Sequence, residues 1–225
     1  MEAFSDTLKG TCILCLDETA GLWCENCERD LFHSHVIRCP VCATTCTTNN
    51  KPCGNCLKNR PVYENARVIC SYQYPINRLI KKIKFDKKPE FIFAFVNQFV
   101  HKLENNANLP EVLIPVPLHP KRQAERGFNQ SAVFATKLAK KLGIRAELSL
   151  VVRSKNTRPQ SSLSYKHRKK NVKAAFSLIK DINYNHVAII DDVITTGATI
   201  NELAKLLKRA GVENIDAWAI AKTNQ

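Results

Sequence analysis

The chain has 225 residues, with 34 Lys+Arg against 20 Asp+Glu and a formal net charge of +14. This length suits one or two domains, and a composition of 44% hydrophobic and 24% charged residues excludes a wholly disordered chain. The longest apolar run, FIFAFV at 91–96, is far shorter than the roughly 20 residues of a membrane helix. The first ten residues show no secretory signal pattern, so we expect a cytoplasmic protein without membrane insertion.

The excess of basic residues lies in the second part of the chain, whereas the cysteines are concentrated in the first. Residues 1–60 hold 6 Lys+Arg and 7 Asp+Glu, a net charge of −1, whereas residues 61–225 hold 28 and 13, a net charge of +15. Nine of the ten cysteines lie between Cys12 and Cys56. We therefore predict two domains, 1–60 and 61–225. A strongly basic domain attracts nucleic acid, anionic lipid or a phosphorylated metabolite, and charge alone does not choose among them.

The first domain is defined by four Cys-x2-Cys pairs, which are Cys12/Cys15, Cys24/Cys27, Cys39/Cys42 and Cys53/Cys56. Each pair offers two thiolates from one tight turn, and two such pairs make the tetrahedral site that zinc prefers. Disulfides are the alternative, but they are typical of exported chains. The pattern therefore predicts about two structural zinc ions, with the domain docking on its neighbour or on a protein partner.

The order in which these pairs combine is a separate question. Sequential pairing makes two tandem zinc ribbons, whereas an interleaved arrangement joins the first pair to the third; we favour the sequential order. Cys46, His33 and His35 are further ligand types for which surface or packing roles are expected. Cys70 lies in the strand-like run ARVICSYQY and is expected to be a buried small hydrophobe.

The second domain alternates short apolar strands with amphipathic helices. Strands are predicted at 111–117, 185–193 and 214–222, with helices over 129–142 and after the loop at 195–199. A basic helical region is predicted over 75–105. This alternation is typical of an α/β fold with a mainly parallel sheet flanked by helices.

The segment VAIIDDVITTGATI at 187–200 contains the candidate ligand-binding residues. A buried strand delivers Asp191 and Asp192 at its carboxyl end, where open α/β sheets bind ligands. A loop of small hydroxyl residues then enters a helix N-terminus, where backbone N–H groups make a cradle for phosphate. A Walker A loop is excluded because its Gly-Lys-Ser/Thr is missing. Two carboxylates beside a phosphate cradle suit a ribose 5-phosphate, with Mg²⁺ nearby.

These residues resemble the phosphoribosyl-pyrophosphate (PRPP) signature of type I phosphoribosyltransferases. The cysteine pairs, YQYPINRLIKKIKF (72–85), IPVP, RGFNQ and the PRPP motif together resemble the ComF family, which is known for competence-related DNA uptake and transformation. The resemblance implies a phosphoribosyltransferase-like fold in which Asp191 and Asp192 hold the ribose hydroxyls as catalytic residues. It further implies that the 5′-phosphate is bound by Thr195, Thr196, Gly197, Ala198 and Thr199, and that Lys84 and the 115–126 turn, with Arg122 and Arg126, approach the pyrophosphate.

Residues 153–173 hold eight basic residues and no acidic one. A basic loop that closes over pyrophosphate would exclude water and stabilise the departing charge, with Arg158 and Arg168 as candidates. The alternatives are a solvated surface loop and an electrostatic track for single-stranded DNA, although only Tyr165 and His167 would offer stacking rings within it. A DNA-handling scaffold regulated by PRPP, together with competence proteins, is therefore the alternative function. The sequence predicts neither the acceptor of a transfer reaction nor the oligomeric state.

Overall fold

The computed structural model describes residues 10–32, 36–47, 51–86, 88–89, 91–103, 108–154 and 175–223. The chain forms two compact units, Met1–Val36 and Ile37–Gln225. This division lies ahead of the boundary at residue 60 that composition predicts, because the second group of cysteines belongs to the larger unit. Among the helices described, none is long and apolar enough to cross a membrane.

The small unit is built around a short hairpin and one helix. Strands β1 (Gly10–Thr11) and β2 (Glu18–Thr19) pair antiparallel, and helix α1 spans Glu25–Phe32. Trp23 is buried; its ring centroid lies 5.0 Å from that of Phe32, and its indole N–H donates to Glu28 Oε2 at 2.9 Å. With so few apolar residues, this unit has little hydrophobic core of its own, as expected for a module that depends on metal.

The larger unit begins with helix α2 (Gly54–Lys58) and continues as an α/β fold. Its other elements, in chain order, are β3 (Asn65–Ser71), α3 (Ile76–Phe85), α4 (Phe91–Leu103), β4 (Val112–Pro115), α5 (Pro120–Arg126), α6 (Gln130–Leu142), β5 (Arg145–Ala146), β6 (Val151–Arg153), β7 (Phe176–Leu178), β8 (His186–Ile194), α7 (Ala198–Arg209) and β9 (Asn214–Lys222). The predicted strands and helices are found within a few residues of these bounds. The region expected to be helical over 75–105 is two helices, because Pro89 cannot supply a backbone N–H within a continuous helix.

Five of these strands form a parallel sheet in the order β3-β9-β8-β4-β5, and β6 and β7 form a separate antiparallel pair. The predicted α/β class with a mainly parallel sheet is therefore confirmed. The central strands β8 and β9 are almost wholly buried, as expected for strands covered by helices on both faces. Because the strands are parallel, the carboxyl ends of β3, β9, β8 and β4 lie along one edge of the sheet.

Local sequence fixes the helices that border this edge. Asn129 precedes α6 and its Oδ1 accepts the N–H of Ser131 at 3.1 Å, which caps the helix. Gly143 ends the same helix in the left-handed conformation, with φ of 70°. The cap brings the first turn of α6, including Ser131, beside the end of β8.

Candidate functional site

The carboxyl end of β8 carries the two predicted aspartates. Asp191 is half-buried and Asp192 is buried, within a strand that pairs with β4 on one side and β9 on the other. The strand holds this register because its apolar residues are buried on both faces. The chain then turns through Thr195 and Thr196 into α7, and Asp191 lines a small pocket with residues of this turn and of the helix N-terminus.

The turn has the features of a phosphate-binding loop. Thr196 Oγ1 accepts the N–H of Ala198 at 3.3 Å, and the carbonyl of Gly197 accepts the N–H of Asn201 at 2.9 Å. Gly197 adopts the left-handed conformation with φ of 73°, which a glycine reaches without steric cost. The first N–H groups of α7 have no acceptor within the helix, and the helix dipole favours an anion there.

The two aspartates differ in their surroundings. Asp191 Oδ1 accepts hydrogen bonds from Ser131 Oγ at 3.1 Å and from the N–H of Asp192 at 2.8 Å, whereas Asp192 Oδ2 lies 2.8 Å from Lys84 Nζ. Burial, and then the charge of Asp192, raise the pKa of Asp191 to about 7, against the opposing effects of Lys84 and the two hydrogen bonds. The site therefore holds one carboxyl group that titrates near neutral pH beside one that is paired with a lysine.

Arginine side chains lie near Asp191, in addition to the lysine that pairs with Asp192. Arg153 is buried, and its guanidinium lies 5.6 Å from the ring centroid of Phe176. Burial, and then the charge of Arg122, lower the pKa of Arg153, while Asp191 acts in the opposite direction. Arg126 donates to Gln130 Oε1 at 3.2 Å. The pKa of Arg122 is lowered mainly by burial and, to a smaller extent, by the charge of Arg126. The charges of Arg122, Arg126 and Arg153 thus interact with one another, and Arg153 also interacts with Asp191.

Some of the predicted residues lie outside the part of the chain that the structure describes. Lys84, Arg122 and Arg126 lie in the described part of the chain, whereas Arg158, Arg168, His33 and His35 lie outside it. Ser131, which donates to Asp191, and Arg153, which lies close enough to Asp191 for their charges to interact, were not predicted to act on the aspartates. The only local signal for Ser131 is its position after the helix cap at Asn129.

Two further residues at the loop were not predicted. Lys222, at the end of β9, is buried, and its Nζ donates to the carbonyl of Thr195 at 2.6 Å. Tyr63 is also buried, and its hydroxyl oxygen would lie 2.9 Å from a Cβ atom added to Gly197. Lys222 ends the strand predicted at 214–222, but neither its contact nor that of Tyr63 leaves a local signal, because each joins distant parts of the sequence.

Gly197→Ala is expected to destabilise the protein more than Gly143→Ala does. Both glycines have positive φ, so alanine costs roughly 1–2 kcal/mol at either position, but only at Gly197 does the new methyl group meet the Tyr63 hydroxyl. Chemical denaturation measures the free energy of unfolding of both variants. Adding Tyr63→Phe to Gly197→Ala should recover part of the difference, and equal losses in the two single variants would contradict this account.

The cysteines form two clusters in the sequential order that we favoured. The four Sγ atoms lie within 4.8 Å of one another in each cluster, the first made of Cys12, Cys15, Cys24 and Cys27 and the second of Cys39, Cys42, Cys53 and Cys56. In a tetrahedral site with Zn–S bonds of about 2.3 Å, sulfurs lie about 3.8 Å apart. The spacings of 3.5 Å for Cys15–Cys24 and 3.7 Å for Cys42–Cys53 fit this geometry, so each cluster is able to hold a zinc ion.

The second cluster also has the surroundings of a metal site. The N–H of Cys53 donates to Cys39 Sγ at 3.2 Å. Burial on its own raises the pKa of Cys39, but this and other backbone hydrogen bonds outweigh it and lower the pKa to about 7. Cys46 packs against this cluster and is not one of the four grouped sulfurs, as expected for a packing residue. Cys70 is buried in β3, also as expected.

The second cluster is attached to the sheet by the residues between its cysteines. The N–H of Ala66 in β3 donates to the carbonyl of Pro40 at 3.0 Å, and Ala43 is buried in the same apolar core as Tyr63 and β3. Arg38 donates to Ser71 Oγ at 2.8 Å and to the carbonyl of Ala43 at 3.1 Å. These contacts explain why this cluster belongs to the α/β unit.

Comparison with known proteins agrees with the fold and the loop. Residues 129–225 match the family model described as the phosphoribosyl transferase domain. The match and the parallel sheet, with two aspartates and a candidate phosphate-binding loop at its carboxyl edge, define a protein with a phosphoribosyltransferase domain.

Proteins of similar length then identify the family. The chain is 34% identical over 225 residues to the DNA utilization protein YhgH of Escherichia coli O6:H1, covering 96% of this chain and 99% of that protein. It is 36% identical over 209 residues to the Competence protein F of Haemophilus influenzae, with 88% and 90% covered. Adenine phosphoribosyltransferase from Leishmania tarentolae is 19% identical, with 63% of this chain and 62% of that chain covered and a TM-score of 0.38. The chain belongs to the ComF family of phosphoribosyltransferase-domain proteins.

Proposed function

We propose that this protein binds PRPP together with Mg²⁺ and acts in the handling of imported DNA. The observation that carries the proposal is the pair Asp191 and Asp192 at the end of β8, followed directly by the phosphate-binding loop. Family membership supports it, because one relative is named for competence and another for DNA utilization. The cytoplasmic location predicted from the sequence is part of this proposal.

Different residues bind different parts of PRPP. The loop from Thr195 to Thr199 binds the 5′-phosphate through backbone N–H groups and hydroxyls. The carboxylates of Asp191 and Asp192 accept hydrogen bonds from the ribose hydroxyls, which requires that both be ionised. Mg²⁺, which prefers oxygen ligands, would bind beside Asp191 and Asp192 and would offset the negative charge of the pyrophosphate.

Phosphoribosyl transfer follows from this arrangement if an acceptor is bound. The bond from C1 of the ribose to the pyrophosphate oxygen breaks, and pyrophosphate leaves with the electron pair. A nitrogen of the acceptor forms the new bond to C1 and releases its proton to solvent or a base. The chain contributes by fixing the ribose and by stabilising charge: the aspartates lie beside a sugar that becomes positive, and Arg122, Arg126 and Arg153 offset the departing phosphates.

We also propose that each cysteine cluster binds one structural zinc ion. All four positions in each cluster are taken by protein thiolates, which is typical of structural rather than catalytic zinc. The support is the sulfur spacing and the backbone N–H donated to Cys39. Elemental analysis of the purified chain should find about two zinc ions per molecule, and the absence of metal with the thiols joined as disulfides would contradict this.

Isothermal titration calorimetry of the full chain with PRPP tests the main proposal. Binding should require Mg²⁺ to reach full affinity, and ribose 5-phosphate should compete because it carries the same phosphate and hydroxyls. Pyrophosphate without the sugar should bind more weakly, since it offers nothing to the aspartates. A wild-type protein that gives no saturable heat with PRPP and Mg²⁺ would show the proposal to be wrong.

Single-stranded DNA binding is a second candidate function, favoured by three exposed aromatic side chains near α3 and α4. Tyr74, Phe85 and Phe93 are 70%, 67% and 50% exposed. Each ring has a cation over it, at 5.4 Å for Arg78 on Tyr74, 5.7 Å for Arg126 on Phe85 and 4.5 Å for Lys137 on Phe93. Exposed rings among basic residues are typical of surfaces on which unpaired bases stack while cations follow the phosphates.

This second function predicts a particular response to substitution. Phe85→Ala and Phe93→Ala should each weaken binding of an oligothymidylate by at least about fivefold, because stacking contributes about 1–3 kcal/mol per base. The slope of affinity against salt should not change, since neither substitution removes a charge. Fluorescence anisotropy across a salt series measures both quantities. Leu148→Ala, which removes an exposed apolar side chain that has no aromatic ring, is the control, and an equal loss there would contradict a stacking role.

A further inference from the structure

A cavity of about 680 Å³ borders the phosphate-binding loop. It is lined by residues of α2, of the segment 59–63 and of α7, and Thr196, Gly197 and Ala198 of the loop are part of the same lining. The volume falls within the range of roughly 300–1,000 Å³ that is typical of small-molecule sites, and it is far larger than one phosphate group requires. The cavity therefore has room for a ligand of nucleotide size directly beside the loop.

Two backbone contacts fix the segment that forms one wall of this cavity. The N–H of Val62 donates to Asn201 Oδ1 in α7 at 2.7 Å. Two residues later, Glu64 Oε2 accepts the N–H of Ile215 at 2.7 Å. Tyr63 lies between these two anchored residues and is 3% exposed. Because the backbone is held on both sides of Tyr63, its ring has a defined position against the loop.

The hydroxyl group of Tyr63 is a hydrogen-bond donor that lacks an acceptor. No residue in the described part of the chain makes a hydrogen bond with it, although polar groups of buried side chains are nearly always hydrogen-bonded. Tyr63 lines the cavity, and its hydroxyl oxygen lies beside Gly197, 2.9 Å from the position of a Cβ atom added there. The hydroxyl is therefore placed to donate to an acceptor atom of a ligand that lies in the cavity next to the loop.

The cavity also has an excess of positive charge. Arg60, Lys205 and Arg209 line it, and Glu202 is the one carboxylate among the described residues of the lining. Lys205 Nζ lies 2.6 Å from Glu202 Oε1, so these two charges offset each other. Arg60 and Arg209 are exposed, and no carboxylate of the described residues pairs with either. Two guanidinium groups without a counter-charge favour an anionic ligand, and arginine binds phosphate especially well.

The position of the cavity determines which end of a ligand it would hold. Gly197 and Ala198 line both this cavity and the small pocket that contains Asp191, whereas neither Asp191 nor Asp192 lines the cavity. With a ribose at the aspartates and its 5′-phosphate on the loop, the cavity begins beyond the phosphate and not beside C1. A group that fills the cavity would therefore be attached through that phosphate.

We propose that the cavity binds a second nucleotide unit, joined by a diphosphate linkage to the ribose that the aspartates hold. The loop then binds an internal phosphate of the ligand, Tyr63 donates to the linkage, and Arg60 offsets the charge of its second phosphate. The inference rests on the proposed binding of a ribose 5-phosphate group at the loop. It extends the class of ligand from sugar phosphates to diphosphate-linked nucleotides.

The first test compares ribose 5-phosphate with ADP-ribose by isothermal titration calorimetry of the full chain. ADP-ribose carries the same ribose 5-phosphate and adds a second phosphate and an adenosine. It should bind at least about tenfold more tightly, a gain equivalent to one hydrogen bond to a charged group. If ribose 5-phosphate binds and ADP-ribose binds no more tightly, the inference is wrong. If neither PRPP nor ribose 5-phosphate binds, the proposed function itself is wrong and the inference fails with it.

The second test uses variants to locate the added affinity. Arg60→Met and Tyr63→Phe should each weaken ADP-ribose binding by about five- to tenfold and leave the affinity for ribose 5-phosphate near the wild-type value. Lys58→Met is the matched control, because it removes an exposed charge at the end of α2 that does not line the cavity. Wild-type affinity for ADP-ribose in both cavity variants, or an equal loss in Lys58→Met, would overturn the inference.

Discussion

Cys56→Ala is expected to remove one zinc ion and to destabilise the larger unit severely. Cys56 is 3% exposed and packs with Cys39 and Val41 in a small cluster of its own. Structural zinc in small sites contributes an apparent free energy on the order of 10–16 kcal/mol, and a site that loses one thiolate forfeits much of it. Because Ala43 and Tyr63 belong to the core of the sheet, the loss should extend into the α/β fold.

The matched control is Cys15→Ala in the first cluster. It should also remove one zinc ion, but the unfolding transition of the larger unit should stay near that of the wild-type protein, because Cys15 belongs to the separate compact unit Met1–Val36. Elemental analysis and thermal unfolding followed by near-ultraviolet circular dichroism, to which the buried Trp218 contributes, measure the two effects. Equal shifts of that transition in the two variants would contradict the expectation that only the second cluster stabilises the larger unit.

The sequence predicted the parts of the fold that depend on local pattern. The strand β8, the loop at Gly197 and the helix α7 were foreseen together, because a buried apolar run, a glycine that takes positive φ and an amphipathic helix each leave a signal within a few residues. The cysteines are grouped in the sequential order that we favoured over the interleaved one.

Contacts between distant segments had no such signal. Composition grouped Cys39 to Cys56 with the first cysteines, whereas packing through Ala43 joins them to the sheet. The Lys84 side chain was expected near the pyrophosphate from resemblance alone, and the structure shows it paired with Asp192. The roles of Ser131 and Lys222 depend on which strand ends are neighbours, and strand order is not encoded in the periodicity of any one strand.

If the protein binds PRPP as proposed, the aspartate pair is expected to have the largest effect on its affinity. Replacing Asp191 and Asp192 together with asparagine should weaken PRPP binding by about 10²–10⁴-fold, since hydrogen bonds to charged groups contribute about 1.5–3 kcal/mol each. Asparagine keeps the shape of both side chains, so the fold should persist. Calorimetry with Mg²⁺ measures the loss, and thermal unfolding verifies that the variant is folded. Affinity within a factor of about three of the wild-type value, a difference below that of a single such bond, would exclude these residues from the site.

Because the pKa of Asp191 is raised to about 7, the stability of the fold and the affinity for PRPP should change in opposite directions as the pH rises. A carboxyl whose folded pKa exceeds its unfolded value stabilises the fold at low pH and loses that contribution as pH rises through 7. Binding runs in the opposite direction, because the ribose hydroxyls need the ionised form: affinity for PRPP should rise about tenfold from pH 6 to pH 8.

Lys84→Met should shift this rise to higher pH, because Lys84 lowers the pKa of Asp191 and pairs with Asp192. Lys81→Met, on the same helix and exposed, should leave the pH profile unchanged. Because ionisation of PRPP itself affects all variants equally, a difference between the two lysine variants reports on the protein. Calorimetry in two buffers of different ionisation enthalpy counts the protons released on binding, which should fall as pH rises above 7. The same profile in wild-type and Lys84→Met protein would mean that Lys84 does not lower the pKa of Asp191.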